Sequence, residues 1–420
     1  IVTDHHLPGE TVPEAFAIVN PMQPGCAFPG KEMAGVGVAF LLVCALRKAV
    51  REIGGFALLP EPSLRPYLDL VALGTVADMA ALRGGNRLLV REGIREIRKS
   101  PRPGIEALFE ASGVPHATAT ETDLGFRVGP RLNAAGRVGD STRSSRILVS
   151  ETRDDAGRLA RELNEDNALR QREEERIVVA VEAALAAAGE IPPAIVLSDP
   201  AWNAGVLGIV ASKVLERYGR PVVLLQEEDG AAKGSCRSVE GFHIVSALSS
   251  LSHLLTRYGG HAQAAGLALP LEHLDAFREG LAGIADRHAR ETPFVRRRSI
   301  DAKLRVDEIT PDLLSDLDRL RPFGVGNEEP LFLLPNVRVA AISRIGAGGR
   351  HIRFAVEEDG RRLSGVAFRR EEIPVSASGR SDLLFAVQEN VYRGARSLQL
   401  LLRDARPAGE SVLCGGTPPG

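Results

Sequence analysis

Apolar residues along the first 150 positions follow two rhythms. Short runs bounded by polar residues, at 1–3, 17–19 and 68–73, predict strands, and longer stretches at 36–53, 86–99 and 105–111 predict helices. Strands alternating with helices predict an α/β layer. From 154 to 188 the chain is densely charged, with a narrow apolar stripe of Leu159, Leu163, Ile177, Val178 and Val181. A helix this polar bridges domains, and its run at 170–176 reads as a solvated face. A second α/β unit follows: strand 194–198, helix 206–218, strand 221–225, a hairpin at Gly230, helix 244–255, strand 266–269 and helix 274–288. Glu291-Thr292-Pro293 and Arg296-Arg297-Arg298 mark a linker. Beyond it, short alternating runs at 300–306, 337–342, 351–356, 363–368, 383–387 and 397–402, interrupted by a helix at 311–320, predict a small β-barrel of the oligonucleotide-binding kind. The expected plan is an α/β domain at 1–150, a connecting helix at 151–190, a second α/β domain at 191–292, an OB-like barrel at 296–408 and a disordered tail at 409–420.

The length of 420 residues accommodates about three domains. The longest apolar stretch, 34–46, is shorter than the roughly 20 residues that span a bilayer. Cysteines at 26, 44, 236 and 414 form no metal-spaced pair and fit the reduced thiols of a cytoplasmic protein. A net charge of −2 gives no general attraction to polyanions, so nucleic-acid binding must rest on local patches. The excess of Arg over Lys is read by default as a GC-rich genome.

Chemistry concentrates at the start. Thr3-Asp4-His5-His6 follows the apolar pair Ile1-Val2, placing a carboxylate and two imidazoles where a strand enters a loop. Ligands collect outside the carboxyl ends of parallel strands, and this donor set suits Mn²⁺, Mg²⁺ or Zn²⁺; a surface turn carrying two histidines is the alternative. Gly74-Thr75-Val76-Ala77-Asp78 puts a second acid just beyond the run at 68–73. The chain opens at Ile and its first strand is short, so upstream sequence is expected to be missing. Two phosphate-activating ions about 4 Å apart need several carboxylates, and only part of that set is present.

Further motifs narrow the reading: Pro130-Arg131-Leu132-Asn133-Ala134-Ala135-Gly136-Arg137, Gly234-Ser235-Cys236-Arg237-Ser238, Gly259-Gly260-His261-Ala262-Gln263-Ala264-Ala265-Gly266 and Pro322-Phe323-Gly324-Val325-Gly326-Asn327. With Asp4-His5-His6 and the motif ending in Asp78, in this order, the chain resembles the DHH phosphoesterases that carry a DHHA1 domain. Within them it is similar to the bacterial single-strand-specific exonucleases of the RecJ family, over nearly its whole length. The resemblance implies a partial DHH domain, a DHHA1 nucleic-acid-binding domain at 191–292, and 5′→3′ hydrolysis of single-stranded DNA to mononucleotides in recombination and repair, with two Mn²⁺ or Mg²⁺ ions. It makes His5 and Asp78 metal ligands, has Asp4 orient His5, and turns His6 toward the scissile phosphate. The family's DxD motif and another Asp, which precede the DHH motif, have no counterpart here, so this chain alone is expected to be inactive. Met79-Ala80-Ala81 also departs from the family's apolar-apolar-Pro pattern.

Strand contacts are expected at Gly259, Gly260 and His261, where glycines admit phosphate to backbone N–H groups, and at Ser235, Arg237 and Ser238 in the 234–238 loop. Arg131, Asn133 and Arg137 follow from the resemblance. Of the barrel residues Phe354, Phe368, Arg369, Tyr392 and Arg393, the last two are the better candidates, the phenylalanines being mostly core. Plainer alternatives are a tight βα turn at 259–266, a structural loop at 130–137 and a helix N-cap at Asp78. A cleft between the α/β domains would thread one strand. Expected partners are single-stranded DNA, a helicase and a single-strand-binding protein, with the chain a monomer. Rival readings are a phosphodiesterase for short oligonucleotides or cyclic dinucleotides, against which the barrel argues, and a non-catalytic strand-binding or replication scaffold.

Overall fold

The computed structural model describes residues 1–9, 11–295, 297–370, 372–376, 378–392 and 395–409. Two short strands, β1 (Val2–Thr3) and β2 (Ile18–Val19), open the chain and pair in parallel, Val2 opposite Ile18 and Thr3 opposite Val19. Helices α1 (Gly35–Glu52), α2 (Leu68–Ala77), α3 (Gly84–Lys99), α4 (Pro103–Ser112), the short α5 (Glu121–Asp123), α6 (Gly129–Val138), α7 (Thr142–Leu148) and α8 (Arg153–Ala188) follow.

One expectation and one of the plainer alternatives fail here. The run at 68–73 is helix α2, because an unbroken apolar stretch serves a helix buried all round as well as a strand. Asp69, Val71, Ala72, Leu73 and Thr75 are all buried. Helix α3 approaches so closely that a Cβ on Gly93 would lie 2.1 Å from the Leu68 carbonyl oxygen. The stretch 130–137 is not a loop but helix α6, with Pro130 in its first turn, where proline costs no hydrogen bond.

After α8 come β3 (Ile195–Asp199), α9 (Ala204–Tyr218), β4 (Val222–Glu228), β5 (Ala231–Arg237), α10 (Ile244–Ser250), β6 (Arg257–Gly260), β7 (Ala264–Pro270) and α11 (Leu274–Glu291). The strands form one sheet in the order β3-β4-β5-β7-β6, with β3–β4 parallel and the other pairs antiparallel. Alternation along β4 sends Val223 and Leu225 to a core shared with Phe277 and Leu281 of α11, and Val222 and Leu224 to one shared with Val206 and Val210 of α9. The motif at 234–238 is therefore mostly strand, and 259–266 is a β6–β7 hairpin instead of a βα turn.

The last block contains β8 (Ala302–Lys303), α12 (Pro311–Leu320), β9 (Phe332–Ile345), β10 (His351–Glu358), β11 (Arg361–Phe368), β12 (Arg380–Tyr392) and β13 (Ala395–Pro407). The order β10-β11-β13-β12-β9 closes on itself through β9–β10, giving the five-stranded OB-like barrel expected from the sequence, and β8 merely extends β9. Phe354 and Phe385 fill the barrel interior. Gly365 makes room for Phe354: a Cβ there would fall 2.2 Å from its ring.

The chain divides into two compact units. One holds Ile1–Met33, Met79–Arg91 and Arg298–Gly420; the other holds Ala34–Asp78 and Glu92–Arg297. No described helix is long and apolar enough to cross a membrane.

Candidate metal and nucleic-acid sites

Strand β1 ends at Thr3, and the next three side chains converge. The Asp4 N–H donates to the Val19 carbonyl at 3.1 Å, extending the β1–β2 ladder by one residue. One carboxylate oxygen of Asp4 then accepts three hydrogen bonds: from the His5 N–H (2.7 Å), the His6 N–H (3.2 Å) and the His6 ring Nδ1 (2.8 Å). The His6 hydrogen bond first, then the two backbone N–H groups, hold the Asp4 carboxyl at about 2, below its ordinary 3.8. With Asp4 ionised and able only to accept, the His6 Nδ1 is the donor of that bond. The ring bonded to Asp4 is thus that of His6, where the resemblance implied His5. The two imidazoles lie 4.3 Å apart between centroids.

Ligand atoms of Asp4, His5 and His6 all lie within 4.8 Å of one another, the one such group among the described residues. Mixed nitrogen and oxygen donors at that spacing suit a borderline or hard divalent cation. Sequence reasoning missed Asn20, whose buried carboxamide donates to the His6 carbonyl at 2.9 Å and accepts from the Met22 N–H at 2.8 Å. An asparagine directly after β2 was the available signal. Asp78 is the C-cap of α2, its N–H donating to the Gly74 carbonyl at 2.9 Å, and not an N-cap; it belongs to the second unit.

In that unit, candidate phosphate contacts gather beside α9. The Arg237 Nε donates to Ser212 Oγ at 3.1 Å and its Nη1 to the Cys236 carbonyl at 2.8 Å. Arg137 donates to the Gly205 carbonyl at 2.9 Å. Gly208 leaves room for both polar neighbours: a Cβ there would lie 2.8 Å from Arg237 Nη2 and 3.4 Å from Ser235 Oγ. Burial, followed by repulsion from Arg137, lowers the Arg237 pKa, and no described carboxylate pairs with either guanidinium. Two undercompensated cations there favour an anion.

The remaining candidates scatter. Arg131 bonds Asn164 and the carbonyls of Arg127 and Ala111, which makes it a tie within its own unit. Asn133 is exposed on α6. The Ser238 hydroxyl is buried and donates to the Phe242 carbonyl at 2.7 Å. Gly259, Gly260 and His261 are exposed at the hairpin, and Gly260, at φ +147°, would place a Cβ 2.4 Å from the Ala264 carbonyl oxygen. Phe354 is core, whereas Phe368 is exposed, edge-on to His351 at 5.2 Å, with Arg369 beside it. Tyr392 closes β12, and Arg393 lies outside the described residues.

The run at 170–176 is not simply a solvated face. Arg170 and Glu174 are buried; Arg170 pairs with Glu174 and with Asn167 Oδ1, and the second Glu174 oxygen accepts from Lys213 of α9 at 2.5 Å. Positions 163, 167, 170, 174, 177 and 181 keep one helical seam, with polar residues occupying its middle.

A parallel strand pair delivering Asp-His-His, a five-stranded mixed sheet carrying Gly-Gly-His and a closed OB-like barrel define a DHH phosphoesterase architecture with a DHHA1 domain. Family models agree: the N-terminal domain of the DHH family matches residues 1–75, the DHHA1 domain 192–285 and the RecJ OB domain 300–404. The chain belongs to the RecJ family. It is 39% identical over 423 residues to the single-stranded-DNA-specific exonuclease RecJ of Dickeya dadantii, covering 97% of this chain and 73% of that protein. Against the Bacillus subtilis protein of the same name it is 35% identical, covering 96% of this chain and 50% of the relative. The crystal structure of Thermus thermophilus RecJ in complex with Mn²⁺ superposes with a TM-score of 0.82 at 35% identity, over 100% of this chain and 59% of that one. The chain thus spans roughly half to three quarters of the length of these relatives.

Proposed function

We propose that this chain acts on single-stranded DNA from its 5′ end, releasing mononucleotides, with Mn²⁺ or Mg²⁺ held by Asp4, His5 and His6 and with Asp78 as a further ligand. The convergence of three donor groups within 4.8 Å at the end of β1 carries this reading. Bound there, divalent ions supply charge neutralisation at the phosphate and a nucleophile at neutral pH. Two ions need more donors than these four residues offer, so the chain taken alone is expected to hold metal and strand more readily than it cleaves.

The protein's own groups do the rest. Asp4 fixes the His6 ring through Nδ1; its other nitrogen either completes the donor set for the ion or, when protonated and off the ion, steadies the phosphate and gives its proton to the leaving oxygen. Arg137, Ser235 and Arg237 take a strand phosphate, with Gly259, Gly260 and His261 as a second contact and Tyr392 and Arg393 as further candidates from the sequence. A role in recombination and repair in the cytoplasm, as a monomer alongside a helicase and a single-strand-binding protein, completes the proposal.

The test is mononucleotide release from a 5′-labelled oligonucleotide, single-stranded or duplex, with and without Mn²⁺. Little or no release is expected from the chain alone, and any that occurs is expected from the single strand only, dependent on Mn²⁺ and lost in His5→Ala. Equal release by His5→Ala, or from duplex, would sink the reading. Binding without any release would leave the non-catalytic strand-holding alternative.

A further inference from the structure

Between α5 and α6 the helix widens into a single π turn, Leu124–Val128. Such turns are rare, and they occur frequently at functional sites. This one is fixed on both sides along the chain: Thr120 and Asp123 start the helix with a reciprocal capping box, and Pro130 follows in the first turn of α6. Its inner side packs on the end of α2. Leu124 and Val128 are fully buried, a Cβ on Gly125 would lie 3.4 Å from Val76 Cγ1, and one on Gly129 would lie 2.8 Å from the Leu124 carbonyl oxygen and 3.4 Å from Ala77 Cβ.

The outer side presents Phe126, 80% exposed. A lone exposed apolar side chain is ordinary on a protein surface, but this ring has a cationic setting. Arg127 follows it, paired one turn back with Asp123 at 3.4 Å, and Arg131 donates to the Arg127 carbonyl at 2.6 Å. Burial first, then repulsion from Arg127, lowers the Arg131 pKa, and no described carboxylate pairs with it. Pro130, Asn133 and Arg137 succeed Phe126 at helical spacing, so one face of α6 leads from the ring to the guanidinium beside Arg237. At a rise of 1.5 Å per residue the stretch from 126 to 137 spans about 16 Å, the reach of at most about five nucleotides. All of these residues belong to one compact unit.

We infer that Phe126 is a stacking platform for a nucleobase of the single strand whose phosphate Arg137, Ser235 and Arg237 take. The inference rests on that strand-binding reading and adds a contact to a base where the arginines contact the backbone. Every base has a π-face, so the ring grips the strand without reading its sequence. Bases within a duplex keep their faces stacked on their neighbours and cannot use it, so the ring favours single strands.

The test is binding, in EDTA, of fluorescent oligo(dT) and of an abasic oligonucleotide of the same length and charge, by the native chain, Phe126→Ala and Phe126→Trp. Phe126→Ala is expected to weaken oligo(dT) binding roughly tenfold, to leave binding of the abasic strand unchanged, and to keep the salt dependence of the native chain, since no phosphate contact is lost. Phe126→Trp is expected to restore the affinity. Equal oligo(dT) affinity in Phe126→Ala and the native chain overturns the stacking site alone, as does an equal loss on both strands, which marks a structural role. Failure of the native chain to bind oligo(dT) overturns the strand-binding reading, and the stacking site with it.

Discussion

At the scale of single residues, one oxygen of Asp4 organises the candidate metal site by accepting from both following N–H groups and from the His6 ring. Asp4→Asn replaces that acceptor with a weaker, uncharged one, and Mn²⁺ affinity at pH 7 is expected to fall about tenfold or more, read by calorimetric titration. Because the folded carboxyl is held near 2, below its ordinary 3.8, its contribution is fully present above about pH 4 and is lost as pH falls toward 2. Cys236 behaves in the opposite sense. Burial pushes its thiol up to about 12 from 9.0, so its contribution is complete below pH 9 and is lost as pH rises toward 12. In the native protein at pH 8, a chromogenic disulfide reagent should react with the half-buried Cys26 and Cys44 and spare Cys236 until denaturant is added. The donor types at Asp4, His5 and His6 were legible in the sequence because three adjacent residues at a strand end need no fold to bring them together. Which imidazole Asp4 holds, and the support from Asn20, depended on side-chain directions and on the β1–β2 register, which composition does not encode.

At the scale of elements, legibility followed periodicity. Alternation and turn spacing located the barrel strands, and helical spacing located α1, α3, α4, α8, α9 and α11. It failed at α2, where the run Leu68 to Leu73 contains no polar residue but Asp69 to reveal a period. Asp69 is itself buried against Arg102, in a bidentate pair of 2.8 and 2.9 Å. At α8 the helix was legible but its buried face was not, because a seam partly built of polar residues looks solvated until its partners are known. Removing Glu174 leaves two cations, Arg170 and Lys213, with their shared carboxylate gone. Glu174→Ala is therefore expected to destabilise the second unit by about 3 kcal/mol in urea denaturation, since breaking a buried pair strands a charge. A substitution outside that seam, such as Lys99→Ala at the exposed end of α3, should change little.

At the scale of the whole molecule, the order of domains was readable because each carries its own motif and its own rhythm. The way segment Met79–Arg91 joins the unit of Arg298–Gly420 was not, because contacts between residues more than 200 positions apart leave no local signature. The net charge of −2 leaves strand binding to local arginines. Arg237→Ala should therefore weaken oligo(dT) binding and flatten its dependence on log salt by about 0.7, the amount for one phosphate contact on a single strand.

The central claim is that Asp4, His5 and His6 hold the divalent ion of a RecJ-family phosphoesterase. Its most direct test is a Mn²⁺ titration of the chain beside its His5→Ala variant, read by the loss of the free-ion resonance signal. Saturable binding that weakens at least about tenfold in the variant is the predicted result. Equal Mn²⁺ affinity in the two proteins would contradict it.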